Sequence, residues 1–168
     1  AAGDRIAAKA SVPVTLTFKT QTALTTGGKI TLNYPAGFFA ATPNPANNAA
    51  GSASVGSMTA TSAITGNSIV ITTAVVGIAA TTVFTITVSG LTMGAAALAN
   101  DATGITVSTD QDTVASAGAA SGAITSRPTS VIFAIAAGDR IATKTLVPVT
   151  LTFTTQTALA TGGKITLN

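Results

Sequence analysis

The chain has 168 residues and a net charge of +3, with no cysteine, histidine, tryptophan or glutamate. Those absences exclude disulfide and thiolate chemistry, the commonest general base and metal ligand, and the easiest paired-carboxylate sites. Eight basic residues scattered without a cluster or an aromatic platform argue against nucleic-acid binding.

Residues 1–33 return almost unchanged as residues 136–168, with 28 of 33 positions identical at an offset of 135. That offset is the size of a whole small domain rather than of a short solenoid repeat, so the chain reads as a window on a tandem array. The second copy stops at Asn168, where the first continues into Tyr34-Pro35, which places the edge of the window inside a repeat. A domain of residues 1–128 and the opening strands of the next repeat, or a segment donated to a neighbour, in residues 129–168 are the expected division.

In chain order, the first strong pattern is residues 12–18. Val12, Val14, Leu16 and Phe18 alternate with Pro13, Thr15 and Thr17, the period of a half-buried strand. Residues 21–28 form a connection rich in Thr and Gly, and residues 29–34 alternate again with Ile30 and Leu32 on the apolar face. Pro35 ends that strand because it has no N–H for a ladder. Residues 36–56 read as a long loop broken by Pro43 and Pro45, with Phe38-Phe39 as an apolar plug. Strands are predicted at 57–64, 68–75 and 82–88, the first two joined by Gly66-Asn67, a tight-hairpin pair. Residues 94–100 suggest one helical turn, 104–109 a further strand, and 114–127 a connection of small residues. Pro128 precedes the most hydrophobic strand of the chain, residues 130–135.

Seven or eight short strands with frequent turn signals predict an all-β fold, an antiparallel β-sandwich of immunoglobulin-like type built on a repeat of about 135 residues. Residues 69–91 are uncharged and long enough to span a bilayer, yet six threonines and the alternation of residues 82–88 favour strands over a membrane helix. Lacking an equivalent of residues 130–135 before Ala1, the first domain is expected to be one strand short, with an open edge and a groove. Val131, Ile132, Phe133 and Ile135 form the strand expected to fill such a groove, in the next repeat or in a neighbouring chain.

Other candidates are weaker. Asp101, Asp110 and Asp112 make the only acidic cluster, a Ca²⁺ candidate with few ligands and otherwise a solvated turn. Asp4-Arg5 and Asp139-Arg140 suggest ion pairs at a domain junction or in a surface turn, and Gly27-Gly28-Lys29 a hairpin rather than a phosphate loop. No group activates the abundant hydroxyls as nucleophiles, and neither an enzyme nor a cofactor is expected. Charged residues make up 8% of the chain, and residues 30–100 contain none. A typical soluble domain carries about 25%. So bare a surface calls for cover by polymer neighbours or by sugar on the 33 threonines and 12 serines. No N-glycosylation sequon occurs, which leaves O-linked sites, with Thr42, Ser126 and Thr129 as candidates beside prolines.

The blocks Ala-Gly-Asp-Arg-Ile-Ala, Val-Pro-Val-Thr-Leu-Thr-Phe, Gly-Gly-Lys-Ile-Thr-Leu-Asn-Tyr-Pro and Ser-Gly-Leu-Thr-Met-Gly (residues 89–94) occur here. They resemble immunoglobulin-like repeats of very long Ala/Thr-rich secreted proteins of microbial and algal type. The resemblance implies an extracellular or cell-surface structural protein whose partners are copies of itself and covalent glycans. It carries no biochemical activity. The expected function is a structural subunit of an extracellular filament. An adhesin stalk is the first alternative and a carbohydrate-binding module the second, the latter weakened by the near absence of Trp and Tyr.

Overall fold

A computed structural model describes residues 2–40, 49–53, 56–73 and 77–167, with side chains described except at residue 2 and residues 49–64. Two compact units divide the chain, Ala1–Thr125 and Ser126–Asn168. Their boundary falls three residues before the expected one. The protein is all-β, and among the described residues the only helical elements are 3₁₀ turns at Ala2–Asp4 and Ala137–Asp139.

The first unit contains β1 (Val12–Lys19), β2 (Lys29–Asn33), β3 (Ala49–Ala53), β4 (Gly56–Thr65), β5 (Ser68–Thr73), β6 (Val83–Leu91) and β7 (Thr106–Thr109). All pairings between the described strands are antiparallel, in the order β1-β6-β3-β4-β5-β2-β7. In-register partners carry the large apolar residues on one face: Leu16 opposite Ile86, Phe18 opposite Phe84, and Ile30 opposite Ile71. Because opposite residues share a face, this alternation forces one common core. Ile30, Ile69, Ile71 and Ile86 are completely buried there. The other face of β1 and β6 is a threonine ladder in which Thr15 meets Thr87 at 3.2 Å and Thr17 meets Thr85 at 3.0 Å. Paired hydroxyls satisfy one another, so this part of the surface needs no charge.

Several expectations are corrected. Residues 36–56 are not loop throughout, since β3 lies between β4 and β6 and is held by ladders on both sides. Its sequence, Ala-Ala-Gly-Ser-Ala, has no apolar alternation to betray a strand. Residues 94–100 form no helical turn. There Met93 bridges Phe39 and Leu98 bridges Ile124, so tertiary pairing overrides the helix preference of the alanines. The Gly66-Asn67 hairpin does join β4 to β5, with Gly66 at φ +59° in the first central position. Residues 69–91 supply β5 and β6, and no helix among the described residues is long and apolar enough to cross a membrane. Phe38 and Phe39 are buried and packed edge to face, and Phe39 also meets Tyr34 at 4.9 Å.

The second unit has β8 (Thr129–Ala134) antiparallel to β9 (Thr150–Thr154), with Phe133 opposite Leu151 and a bulge between Thr129 and Ile132. Left-handed Ser130, at φ +53°, sits in the bulge. The repeated sequence folds the same way locally in both units. Lys9 pairs with Asp4 at 2.6 Å, and Lys144 with Asp139 at 2.5 Å. Each aspartate thus pairs with the lysine five residues on, within its own copy of the repeat. Left-handed backbone recurs at Ala8 and Thr143, Ser11 and Leu146, and Gly27 and Gly162. A left-handed non-glycine residue costs about 1–2 kcal/mol, and its recurrence despite changed side chains at those positions points to the flanking repeated sequence as what sets the turn path.

Candidate assembly groove

Strand β1 stands at one end of the seven-stranded order, laddered to β6 alone among the described strands. Val12 is buried, but Val14, Leu16 and Phe18 are only half-buried although they pack on the core. Their register is as the alternation predicts, and a groove of about 460 Å³ runs beside Val14 and Leu16. Val14 and Leu16 line it with Ala120 and Ser121, Leu32, Phe39 and Met93 contribute core side chains, and Asp4 and Arg5 add a charged pair to the lining. Residues 116–119 reach the β7 side, where the Ser116 N–H donates to the Val107 carbonyl at 2.7 Å and Ala119 bridges Ile105. The rim near β7 is thereby tied down, while β1 keeps one unladdered edge among the described strands.

In the second unit the copy of β1 is partnered. Residues 147–153 are identical to residues 12–18, and β9 within this copy carries β8 on its edge. That pair leaves Val131 60%, Ile132 59% and Phe133 59% exposed, while Ile135 is half-buried. Equivalent residues in the two copies meet different fates. Ile30 is fully buried between Ile71 and Thr109, whereas Ile165 is 58% exposed; Leu32 is 2% exposed and Leu167 65%.

The acidic candidates do different work from the one proposed on sequence. Asp112 accepts main-chain N–H bonds from Gln21 at 2.8 Å and Thr22 at 3.1 Å, and Asp110 accepts from the Lys29 N–H at 3.2 Å. Together they clamp the connection between β1 and β2 to the loop after β7. Hydrogen bonding from Thr22, and then from Gln21, holds the Asp112 carboxyl below the usual carboxylate range. Asp101 turns back on Thr103, accepting from its N–H at 3.0 Å. Among the described residues, no three carboxylates converge on a point where a cation would sit. Of the glycan candidates, Ser126 is half-buried and accepts a hydrogen bond from the Thr157 hydroxyl at 2.9 Å, Thr129 opens β8 opposite Thr154, and Thr42 lies outside the described residues. What the sequence reading missed is the aspartate clamp, which no local signal reveals because its partners are about ninety residues apart. Comparison with protein-family models, curated proteins and solved structures found no match.

Proposed function

We propose that this chain is a structural repeat of an extracellular filament or surface fibre, an immunoglobulin-like β-sandwich of about 135 residues assembled by β-strand complementation between successive repeats or chains. The observation that carries this reading is the presence of an open groove and an exposed apolar strand in a single chain. An open edge and apolar groove run along β1 of the first unit, and an exposed apolar strand lies on the identical β1 sequence of the second. Repetition at an offset of 135 supplies length, and the uncharged surface suits a molecule whose neighbours cover it. Fully burying Val131 and Phe133 contributes about 1.5–3 kcal/mol each before ordering costs, so the joints would be apolar and hydrogen-bonded. The same logic and the resemblance to Ala/Thr-rich secreted repeats support an extracellular location, with glycans as further cover.

A second reading is favoured by one observation. β8 is held by β9, the strand of its own repeat, which suits a spacer array in an adhesin stalk where each domain keeps its leading strand. Negative-stain electron microscopy of the native material separates the two. Ordered helical fibres that persist in molar salt support the filament, since apolar joints are little screened. Isolated flexible strings support the stalk.

A further inference from the structure

Resting on the filament reading, we infer that the occupant of the β1 groove is β8 of a second copy of this chain, seated antiparallel with Phe133 opposite Leu16, Ala134 opposite Thr15 and Ile132 opposite Thr17. The register comes from the second unit, where β8 pairs Phe133 with Leu151, Ala134 with Thr150 and Ile132 with Thr152. Those three partners are the repeat copies of Leu16, Thr15 and Thr17. Strand β1 carries the same sequence at these positions and has one edge without a ladder among the described strands, so it can offer β8 a ladder in this register.

The two seats differ in what lies behind the ladder. On β9, Val131, Ile132 and Phe133 remain more than half exposed. On β1, the face shared with Leu16 opens into the groove, whose Leu32, Phe39 and Met93 belong to the buried core. Moving β8 from β9 to a neighbour's β1 exchanges like hydrogen bonds and adds apolar burial, the condition under which strand exchange is favoured. Parity decides which side chains enter. Phe133 lies on the face of Leu16, and Ile135, two residues on, shares that face, whereas Ile132 lies on the face of Thr17 and the threonine ladder. The strand is thus divided between an inward anchor, Phe133 with Ile135, and an outward Ile132, which the apolar run alone does not distinguish.

Donor and acceptor are different strands, so the contact is heterologous. Unless the rotation closes a ring, such contacts propagate without limit.

The chain has no cysteine, which makes disulfide trapping clean. Two full-length variants, Thr15→Cys and Ala134→Cys, are mixed, oxidised mildly and weighed. An in-register ladder brings opposite Cα atoms within disulfide reach, whereas a displacement of two residues takes them beyond it. We expect heterodimers from Thr15→Cys with Ala134→Cys and from Thr17→Cys with Ile132→Cys, at about tenfold the yield of the out-of-register mixture of Thr15→Cys with Ile132→Cys. Phe133→Asp added to the Ala134→Cys chain should abolish the heterodimer while leaving the melting of the first unit unchanged. Equal yields from all mixtures overturn the register. A Thr15→Cys/Ala134→Cys chain that closes into an intramolecular disulfide at high dilution, with no heterodimer from the single variants, overturns the second-copy occupant. Fibres without in-register disulfides refute this inference and leave the filament reading standing; in-register disulfides without fibres refute the filament reading and leave the pairing.

Discussion

Leu16 and Ile86 face each other across the β1–β6 ladder, yet their surroundings differ in a way that truncation will expose. Ile86 is completely buried, and replacing such a residue with alanine removes its transfer energy and leaves a cavity, for a cost of about 2–5 kcal/mol. Leu16 is half-buried beside the groove, so Leu16→Ala loses about half of the transfer contribution and opens no closed cavity, about 1–1.5 kcal/mol. At about 3–4 °C per kcal/mol for a unit of this size, the melting point should fall by about 10 °C for Ile86→Ala and about 4 °C for Leu16→Ala. Calorimetry on dilute, unassociated chains measures both. Associated chains should behave differently, because a strand over the groove completes the burial of Leu16 and brings its cost toward that of Ile86. If Leu16→Ala costs as much as Ile86→Ala in dilute chains, the side chain is already covered and the open-groove argument fails.

Other outcomes follow from the same contacts. A Cβ added to Gly94 would lie 1.7 Å from the Gly37 carbonyl oxygen, so Gly94→Ala should part the two loops and lower the denaturation midpoint severely, whereas Gly3→Ala, with nothing within 4 Å, should not. The Asp112 carboxyl lies below its ordinary range through Thr22 and Gln21, and that of Asp4 through Lys9. For such groups the unfolded state binds more protons, so their stabilisation is present above the unfolded carboxylate pKa and is lost as pH falls from about 5 through the lower folded values. Urea titrations across that window should show this slope, and Asp112→Asn should flatten it. Proteolytic peptides of native material that cover Ser126 and Thr129 should weigh more than their bare sequence, by the mass of O-linked glycan. A mass equal to the bare sequence would leave polymer contacts as the sole cover for the uncharged surface.

Much of the all-β framework was legible because alternation survives where large side chains mark it. Residues 12–18, 29–34 and 82–88 carry Val, Leu, Ile and Phe against Thr, and they become β1, β2 and β6 with that register. Strand β3 was not legible, since Ala, Gly and Ser contrast too little to show a face, and only its neighbours' ladders define it. Residues 94–98 misled in the opposite sense, because local alanine preference says helix while Phe39 and Ile124, both distant in sequence, claim Met93 and Leu98. The aspartates near residue 110 showed their charge but not their partners, which are main-chain amides of another loop. Incomplete burial of Val14, Leu16 and Phe18 had no signal in the alternation, which marks a face but not how fully that face is covered.

Residue-resolved hydrogen exchange as a function of protein concentration tests the central claim most directly. Amides on the unladdered edge of β1 should exchange freely in dilute solution. As the chains associate, protection should rise together in residues 12–19 and 129–135, with β2 and β5 protected throughout by their existing ladders. Association that leaves residues 12–19 exchanging at their dilute rate, with new protection elsewhere, would contradict assembly through strand β1.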